Sequence, residues 1–154
     1  MIQMKNKMSD IRKVCEQMAR IFEECVIEEF IEWAKHDDEY LRNNDGFNNH
    51  TGNLRSSLGA AVFNDAKLVF STPFQTVLNG SVGSSEGRRA VERLAEQTRG
   101  RIAKVMVAGM DYAQKVEDID SKDVLESRRI QCEREAQAIM ERAAKKAEKR
   151  FKEL

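Results

Sequence analysis

Residues 50–70, HTGNLRSSLGAAVFNDAKLVF, decide the fold, because here helix-like sequence gives way to a turn and then to β-rich residues. Thr51-Gly52-Asn53 breaks any helix, since glycine tolerates positive φ and the Thr and Asn side chains bond their own backbone. Two short apolar runs follow, at 58–64 and 66–71, with Asn64-Asp65 between them. This pattern predicts a β-hairpin. Neither run alternates cleanly with polar residues, so we expect both faces to be covered, one by helices and one by a partner or another segment.

A long amphipathic helix is predicted before this stretch. From Met4 to about Leu41 the apolar residues recur every three or four positions, and only Glu29 interrupts the stripe. Ser9-Asp10 is a candidate cap for its regular part. Gly46 is a plausible stop signal.

A second long helix is predicted at the C-terminal end, in residues 122–154. Ser121 or Asp123 is its candidate N-terminal cap. Its predicted apolar stripe consists of Leu125, Arg129, Cys132, Ala136, Ile139, Met140, Ala143, Ala147, Phe151 and Leu154. Alanines dominate the distal part of the stripe. We therefore expect this stripe to bury little apolar area and, by itself, to hold the helix only weakly against the rest of the protein.

Between the hairpin and the last helix the sequence predicts a loop, a short helix at 86–97 capped by Ser84 or Ser85, and a strand at 101–109. Asp111–Glu117 extends that strand or bends away from it. The prediction is therefore an α+β protein in which two long helices pack a small antiparallel sheet of about three strands. We expect a single domain over 1–154, with the N-terminal helix in 1–45, the sheet in 51–117, an insertion at 72–100 and the C-terminal helix in 122–154.

Composition excludes some classes of function. Lys and Arg number 26 and so do Asp and Glu, so the net charge gives no reason to expect nucleic acid. No apolar run approaches the roughly 20 residues of a membrane helix, and the N-terminus lacks the apolar core of a signal peptide, so we expect a cytosolic protein without a membrane partner. Cys15, Cys25 and Cys132 form no CxxC pair and are expected to be free thiols in helix packing.

No motif predicts catalysis, a cofactor or a metal site. His36-Asp37-Asp38-Glu39 lacks the i, i+4 ligand pairing of a helical metal site, which favours a solvated helix face. Glu117-Asp118-Ile119-Asp120 with Asp123 is similar to a fragment of a calcium loop, but the Gly and the terminal Glu are absent, so turn and capping roles are favoured. We therefore expect a protein that is not an enzyme.

A basic cluster surrounds the short helix and leaves two interpretations open. It contains Arg88, Arg89, Arg93, Arg99, Arg101 and Lys104. Such residues bind phosphates, so the alternative function is a small cytosolic helical adaptor or a nucleic-acid-binding module that uses the cluster from Arg88 to Lys104. The first helix carries an acidic counterpart, which favours pairing between subunits, acidic helix against basic helix of the neighbour.

Two motifs, in order, resemble a phage protein family. Residues 51–58, TGNLRSSL, resemble the "TG-x-LR-x-S-apolar" signature of the gene-product-ten-like tail-component family of lambdoid siphophages. Residues 112–117, YAQKVE, fit the "YA-x-x-VE" motif that ends a strand in that family, although Asp118-Ile119-Asp120 replaces the usual Gly turn. A long helix precedes the first motif and another follows the second. The residues that match are Thr51, Gly52, Leu54, Arg55, Tyr112, Ala113, Val116 and Glu117.

The resemblance implies a structural virion-assembly protein of a phage or prophage. Such a protein is a subunit of a neck or tail-completion ring at the head–tail junction, and its partners are copies of itself and other head–tail connector and tail proteins. It resides in the host cytoplasm during assembly and then in the virion. We expect Arg55 to pair with Glu117 across the sheet. The expected subunit contacts are Phe74, Val77, Leu78, Val82, Arg88, Arg89 and Arg93.

Overall fold

The computed structural model describes residues 2–44, 46, 47, 50–119 and 122–154, and side chains from residue 7 onward except that of Ile119. The elements in chain order are helix α1 (Ile2–Asn43), helix α2 (Asn53–Ser56), strands β1 (Leu58–Asn64) and β2 (Lys67–Ser71), helix α3 (Ser81–Leu94) with a 3-10 turn (Ala95–Thr98), strand β3 (Ile102–Ala108), helix α4 (Ala113–Ile119) and helix α5 (Glu126–Phe151). The predicted α+β class, with two long helices and a three-stranded sheet, is confirmed.

The sheet has the order β2-β1-β3, and both pairs are antiparallel. The hairpin closes through Asp65 and Ala66, whose φ angles are 48° and 65°. Two consecutive positive φ values define the turn that matches the twist of hairpin strands. The register against β1 shifts between Val62 and Phe63, so β2 carries a bulge at the edge of the sheet.

Both faces of β1 are buried within this chain, and its first six residues are all inaccessible. On one face Ala60 and Val62 pack under Ala34 of α1. On the other face Ala61 and Phe63 pack against Val91 of α3. The predicted two-sided burial is confirmed for β1, where the second cover comes from the inserted segment rather than from a partner. It is wrong for β2, an edge strand in which Leu68 and Val69 are 51% and 44% exposed.

Helices α1 and α5 pack side by side through small residues and ion pairs. Cys25 lies against Ala143 and Ala147, which let the helices approach closely. Glu28 accepts hydrogen bonds from Arg150 at 2.9 Å. Charged contacts therefore supplement the small apolar area that alanines supply in the distal half of α5.

Several predicted boundaries are wrong. Helix α3 begins at Ser81, five residues before the predicted start, so Ser84 and Ser85 lie inside it. Ser9 and Asp10 also lie inside a helix, α1. Of the two alternatives left open for Asp111–Glu117, the bend is confirmed, because the chain turns after β3 and then forms α4. The candidate cap Ser121 lies outside the described residues.

Candidate functional site

The residues of the first motif join the end of α1, the start of β1 and the start of α3. Gly52 has φ +82°, and a Cβ there would lie 1.9 Å from the Val77 carbonyl oxygen, so the site requires glycine. The Asn53 side-chain oxygen accepts a hydrogen bond from the Gly83 amide at 3.1 Å. Ser56 Oγ accepts another from the Val77 amide at 2.8 Å. The motif thus fixes the inserted segment to the sheet.

Arg55 binds the C-terminal end of α1. Its guanidinium donates hydrogen bonds to the carbonyl oxygens of Arg42 at 2.6 Å and Asn44 at 2.7 Å. It also lies 5.0 Å from the ring centroid of Phe47. A cation at this position donates hydrogen bonds to carbonyl groups at the end of the helix and interacts favourably with the negative end of the helix dipole. The expected pairing of Arg55 with Glu117 is wrong, because each side chain is committed to a different helix end.

Glu117 caps the N-terminal end of α5 from outside that helix. Its Oε1 accepts hydrogen bonds from the amides of Val124, Leu125 and Glu126 at 3.2, 2.8 and 2.7 Å. Asp123 adds a bond from the Ser127 amide at 3.0 Å, so its side chain satisfies a first-turn amide, although the N-cap residue itself is Leu125. Negative charge is favourable at a helix N-terminus. Of the four carboxylates that were compared with a calcium loop, Glu117 and Asp123 therefore have this structural role.

The rest of the second motif packs on the hydrophobic cluster beneath the first. Ala113 is buried and Val116 lies against the cluster that contains Leu54. Tyr112 is exposed just before α4. The two motifs therefore meet in one core, and Leu54 and Ala113 are the residues that bring them together.

The proposed subunit contacts divide into buried and exposed residues. Phe74 is buried, so its predicted role as a subunit contact is wrong. Its ring fills the space between Gly59 and Gly87, where added Cβ atoms would lie 2.5 and 2.4 Å from ring carbons. Leu78 and Val82 are 67% and 56% exposed, and Val77 is half-buried. Leu78 and Val82, hereafter the apolar tip, form an accessible apolar surface at the start of α3.

The basic cluster is reduced by intramolecular pairing. Arg89 and Arg93 contact Glu86 at 2.8 and 3.6 Å. Arg88 is exposed on α3 and donates a hydrogen bond to the Pro73 carbonyl oxygen at 3.2 Å. Lys104 is buried in the interior and forms no part of this surface. Arg88, like the exposed Arg101, is therefore an arginine of this cluster that forms no ion pair with the described residues.

Sequence reasoning missed a buried cluster of charged residues between α1, β3 and α5. Asp37 is its centre and is fully buried. It pairs with Lys104, and its Oδ1 accepts a hydrogen bond from Arg128 Nε at 2.7 Å. The Cys132 thiol lies 3.3 Å from both Asp37 Oδ1 and Lys104 Nζ. Burial first, and then the negative charge of Asp37, raise the pKa of the Cys132 thiol, so this thiol stays protonated.

The periphery of the cluster balances its charge. Glu135 accepts hydrogen bonds from Arg128 at 3.1 Å and from the Trp33 indole at 2.8 Å. Burial raises the pKa of Glu135, but these two bonds outweigh burial and the pKa is lowered overall. Lys104 Nζ lies 4.1 Å from the centroid of the Trp33 ring. Two cations and two carboxylates thus form a neutral group in the protein interior.

A signal for this cluster exists in the sequence. Asp37 lies four residues after Trp33 and four before Leu41, on the apolar stripe of α1 rather than on a solvated face. Lys104 is the one charge inside the apolar strand, residues 102–108. In α5 the buried stripe passes through Arg128, one residue before the predicted Arg129. Charges at core positions predict a buried, mutually paired group.

The described parts of the chain show neither a metal-ligand cluster nor a helix that could span a membrane. Nowhere in those residues do three or more His, Cys, Asp or Glu side chains meet in a way that suits a metal ion. None of the helices described there has both the length and the apolar character needed to cross a membrane. No protein-family model matches the chain, and no curated protein or solved structure matches it either.

Proposed function

We propose that this chain is a structural subunit of a phage or prophage virion and acts in a ring at the head–tail junction. The observation that carries the proposal is the ordered pair of motifs, residues 51–58 and 112–117, between two long helices. The motif residues also have coherent roles: Gly52 and Arg55 build the joint at the end of α1, and Glu117 caps α5. A family that shares these roles would share the same helix–sheet–helix arrangement.

The proposed ring contact is the apolar tip together with Arg88. Leu78 and Val82 are exposed just before and at the start of α3, and Arg88 lies less than two turns after Val82 on that helix. Apolar residues at a tip with a charged neighbour suit the centre and rim of a small interface. A head-to-tail contact of this kind closes into a ring when the rotation between subunits is right.

The acidic face of α1 is not the proposed partner of this surface. Glu29 accepts ion pairs from Lys146 at 2.8 Å and Arg142 at 3.1 Å, and Glu28 pairs with Arg150. These carboxylates hold α5 within the same chain. The ring contact is therefore proposed to bury the apolar tip against a neighbouring subunit or a connector protein, with Arg88 at its rim.

Complementation of a deletion in the source phage or prophage tests this proposal. Loss of the gene is expected to yield filled heads and separate tails in electron micrographs, and the wild-type gene is expected to restore joined particles. Leu78→Asp with Val82→Asp is expected not to restore them. The matched control is Leu68→Asp with Val69→Asp, which changes two exposed apolar residues of β2 and is expected to restore joining.

Two results would overturn the proposal. One is a deletion strain that makes normal joined particles. The other is restoration of joining by the apolar-tip variant to the level of the β2 control. Circular dichroism of both purified variants checks that each keeps the helical content of the wild type, so a failure to join is not a failure to fold.

A further inference from the structure

Residues 77–80 form a turn just before α3. The Gly80 amide donates a hydrogen bond to the Val77 carbonyl oxygen at 3.0 Å, which closes a β-turn over Leu78 and Asn79. Leu78 and Asn79 are exposed, whereas Gly80 is buried. Asn79 therefore presents a solvent-accessible side-chain amide one residue before a glycine, and between the two residues of the apolar tip.

Asn79-Gly80 is the single Asn-Gly dipeptide in the sequence. An asparagine that precedes glycine loses its side-chain amide spontaneously more readily than other asparagines. The reason is that glycine lacks the Cβ that would crowd the approach of its backbone nitrogen to the asparagine Cγ. The other asparagines of the chain precede Lys, Asn, Asp, His or Leu. The sequence therefore concentrates this chemistry at Asn79.

The fold requires the glycine of this pair. A Cβ at position 80 would lie 2.2 Å from Ser56 Oγ and 2.5 Å from the Gly52 carbonyl oxygen. The close packing of residue 80 against the first motif thus excludes the larger side chains that would slow the reaction. The side chain that reacts, that of Asn79, is exposed to the water that the reaction consumes.

The reaction uses only atoms of the chain and water. The Gly80 backbone nitrogen loses its proton and attacks Asn79 Cγ, a new C–N bond forms, and the side-chain nitrogen leaves as ammonia. Water then opens the cyclic succinimide at either carbonyl carbon, which leaves aspartate or isoaspartate. In sum, one amide and one water become one carboxylic acid and one ammonia.

The closed turn opposes this attack. Its hydrogen bond directs the Gly80 N–H towards the Val77 carbonyl oxygen, and the Val77 amide is itself anchored to Ser56 Oγ at 2.8 Å. Leu78 favours opening, because its φ of 52° lies in the left-handed region, where leucine is strained. Local opening of the turn frees the Gly80 nitrogen to react. The fraction of time that the turn is open therefore limits the rate.

We infer that Asn79 is a site of spontaneous deamidation and that opening of the 77–80 turn sets its rate in the folded protein. Conversion places a new carboxylate between Leu78 and Val82, and the isoaspartate product also lengthens the main chain of the turn. The modification goes beyond the proposed function, and only its effect on the ring contact rests on that function. Peptide masses report the modification and joined particles report the ring contact, so either can fail alone.

Incubation of the full chain at mildly alkaline pH, followed by trypsin digestion and mass spectrometry, tests the site. Trypsin releases residues 68–88, whose single asparagine is Asn79, and residues 43–55, whose five asparagines each precede a residue other than glycine. In guanidinium chloride, peptide 68–88 is expected to gain aspartate and isoaspartate before peptide 43–55 is converted. The folded chain is expected to convert peptide 68–88 more slowly. A sample taken at the start corrects for conversion during digestion.

Two serine variants test control by the turn. Ser56→Ala removes the acceptor of the Val77 amide and is expected to raise the rate in the folded chain about five-fold, the effect of one hydrogen bond on an opening equilibrium. Ser57→Ala is the matched control, because its buried hydroxyl donates to the Leu54 carbonyl oxygen instead. This control is expected to convert at the wild-type rate. Circular dichroism checks that both variants keep the wild-type helical content.

Three results would overturn the inference. One is conversion of peptide 43–55 ahead of peptide 68–88 in the denatured chain. Another is an equal rate at Asn79 in the folded and the denatured wild type, a comparison that needs no variant. The third is a folded Ser56→Ala variant that converts no faster than Ser57→Ala.

Discussion

Asp37 Oδ1 accepts a hydrogen bond from Arg128 Nε at 2.7 Å, across a separation of 91 residues. Lys104 pairs with the other carboxylate oxygen of Asp37, so one buried acid joins α1, β3 and α5. Buried ion pairs add little net stability compared with apolar packing, but removal of one partner leaves the others charged without compensation. The cluster therefore links the two long helices to the sheet through one carboxylate whose loss would leave two buried cations unpaired.

Asp37→Asn is expected to lower the free energy of unfolding by about 3–5 kcal/mol, since Lys104 and Arg128 would remain buried without their shared carboxylate. Urea unfolding followed by circular dichroism measures this loss. The control is Glu39→Gln, an exposed acid two residues on, for which a change within about 0.5 kcal/mol is expected. A loss below about 1 kcal/mol for Asp37→Asn would contradict a central role for this carboxylate.

Gly52→Ala is expected to be far more destabilising than Gly100→Ala. Both glycines have positive φ, +82° and +76°, so an alanine at either position destabilises the fold by about 1–2 kcal/mol through its left-handed backbone conformation. Only at Gly52 does the new Cβ collide with backbone, the Val77 carbonyl, whereas nothing lies within 4 Å at Gly100. Denaturant midpoints of the two variants give the comparison. Equal losses of stability in the two variants would show that the backbone around Val77 moves to accommodate the new Cβ atom without loss of stability.

The fold class was predictable because its signals are local. Helix periodicity identified α1 and α5, and the apolar runs around Asn64-Asp65 identified the hairpin to within a residue or two. The boundaries of α3 were not predictable in the same way. Its first turn is held by contacts from distant residues, such as Asn53 binding the Gly83 amide, and Gly80-Ser81 read locally as a turn.

The site-level predictions depended on pairings that a sequence alone does not specify. Phe74 lies in a loop-like segment, and its burial follows from tertiary contacts with the apolar cluster around Val91 and from the close approach of Gly59 and Gly87. Arg55 and Glu117 were each expected to find an opposite charge, but helix ends offered backbone partners that satisfied them. Tertiary contacts of this kind override what the local sequence favours. The buried charged cluster is different, because the position of Asp37 on the apolar stripe of α1 does indicate it in the sequence.

Cys25 and Cys132 are expected to react slowly with a thiol reagent in the native state. Both are buried, and burial raises the pKa of each thiol, so little thiolate forms at mildly alkaline pH. Absorbance with Ellman's reagent measures this in a Cys15→Ser variant, which removes the exposed thiol. No rapid phase is expected until denaturant is added, after which two thiols react. One rapid equivalent without denaturant would show that Cys25 or Cys132 is accessible.

The ion pairs between α1 and α5 are expected to make stability depend on acid pH. Hydrogen bonds from Arg150 lower the pKa of Glu28, and Lys146 and Arg142 outweigh burial to lower that of Glu29. Because both folded pKa values lie below the ordinary value of 4.5, this stabilisation is complete above that pH and is lost as the pH falls through the folded values.

Glu28→Gln with Glu29→Gln therefore is expected to unfold more easily than the wild type at neutral pH, by about 1 kcal/mol for these partly exposed pairs. Urea midpoints of the two proteins should converge as the pH is lowered below 4.5, because the wild type loses the pairs that the variant already lacks. Glu141→Gln, on the exposed surface of α5, serves as the control and should follow the wild-type profile. Parallel profiles for the double variant and the wild type would show that the two glutamates do not carry the acid sensitivity.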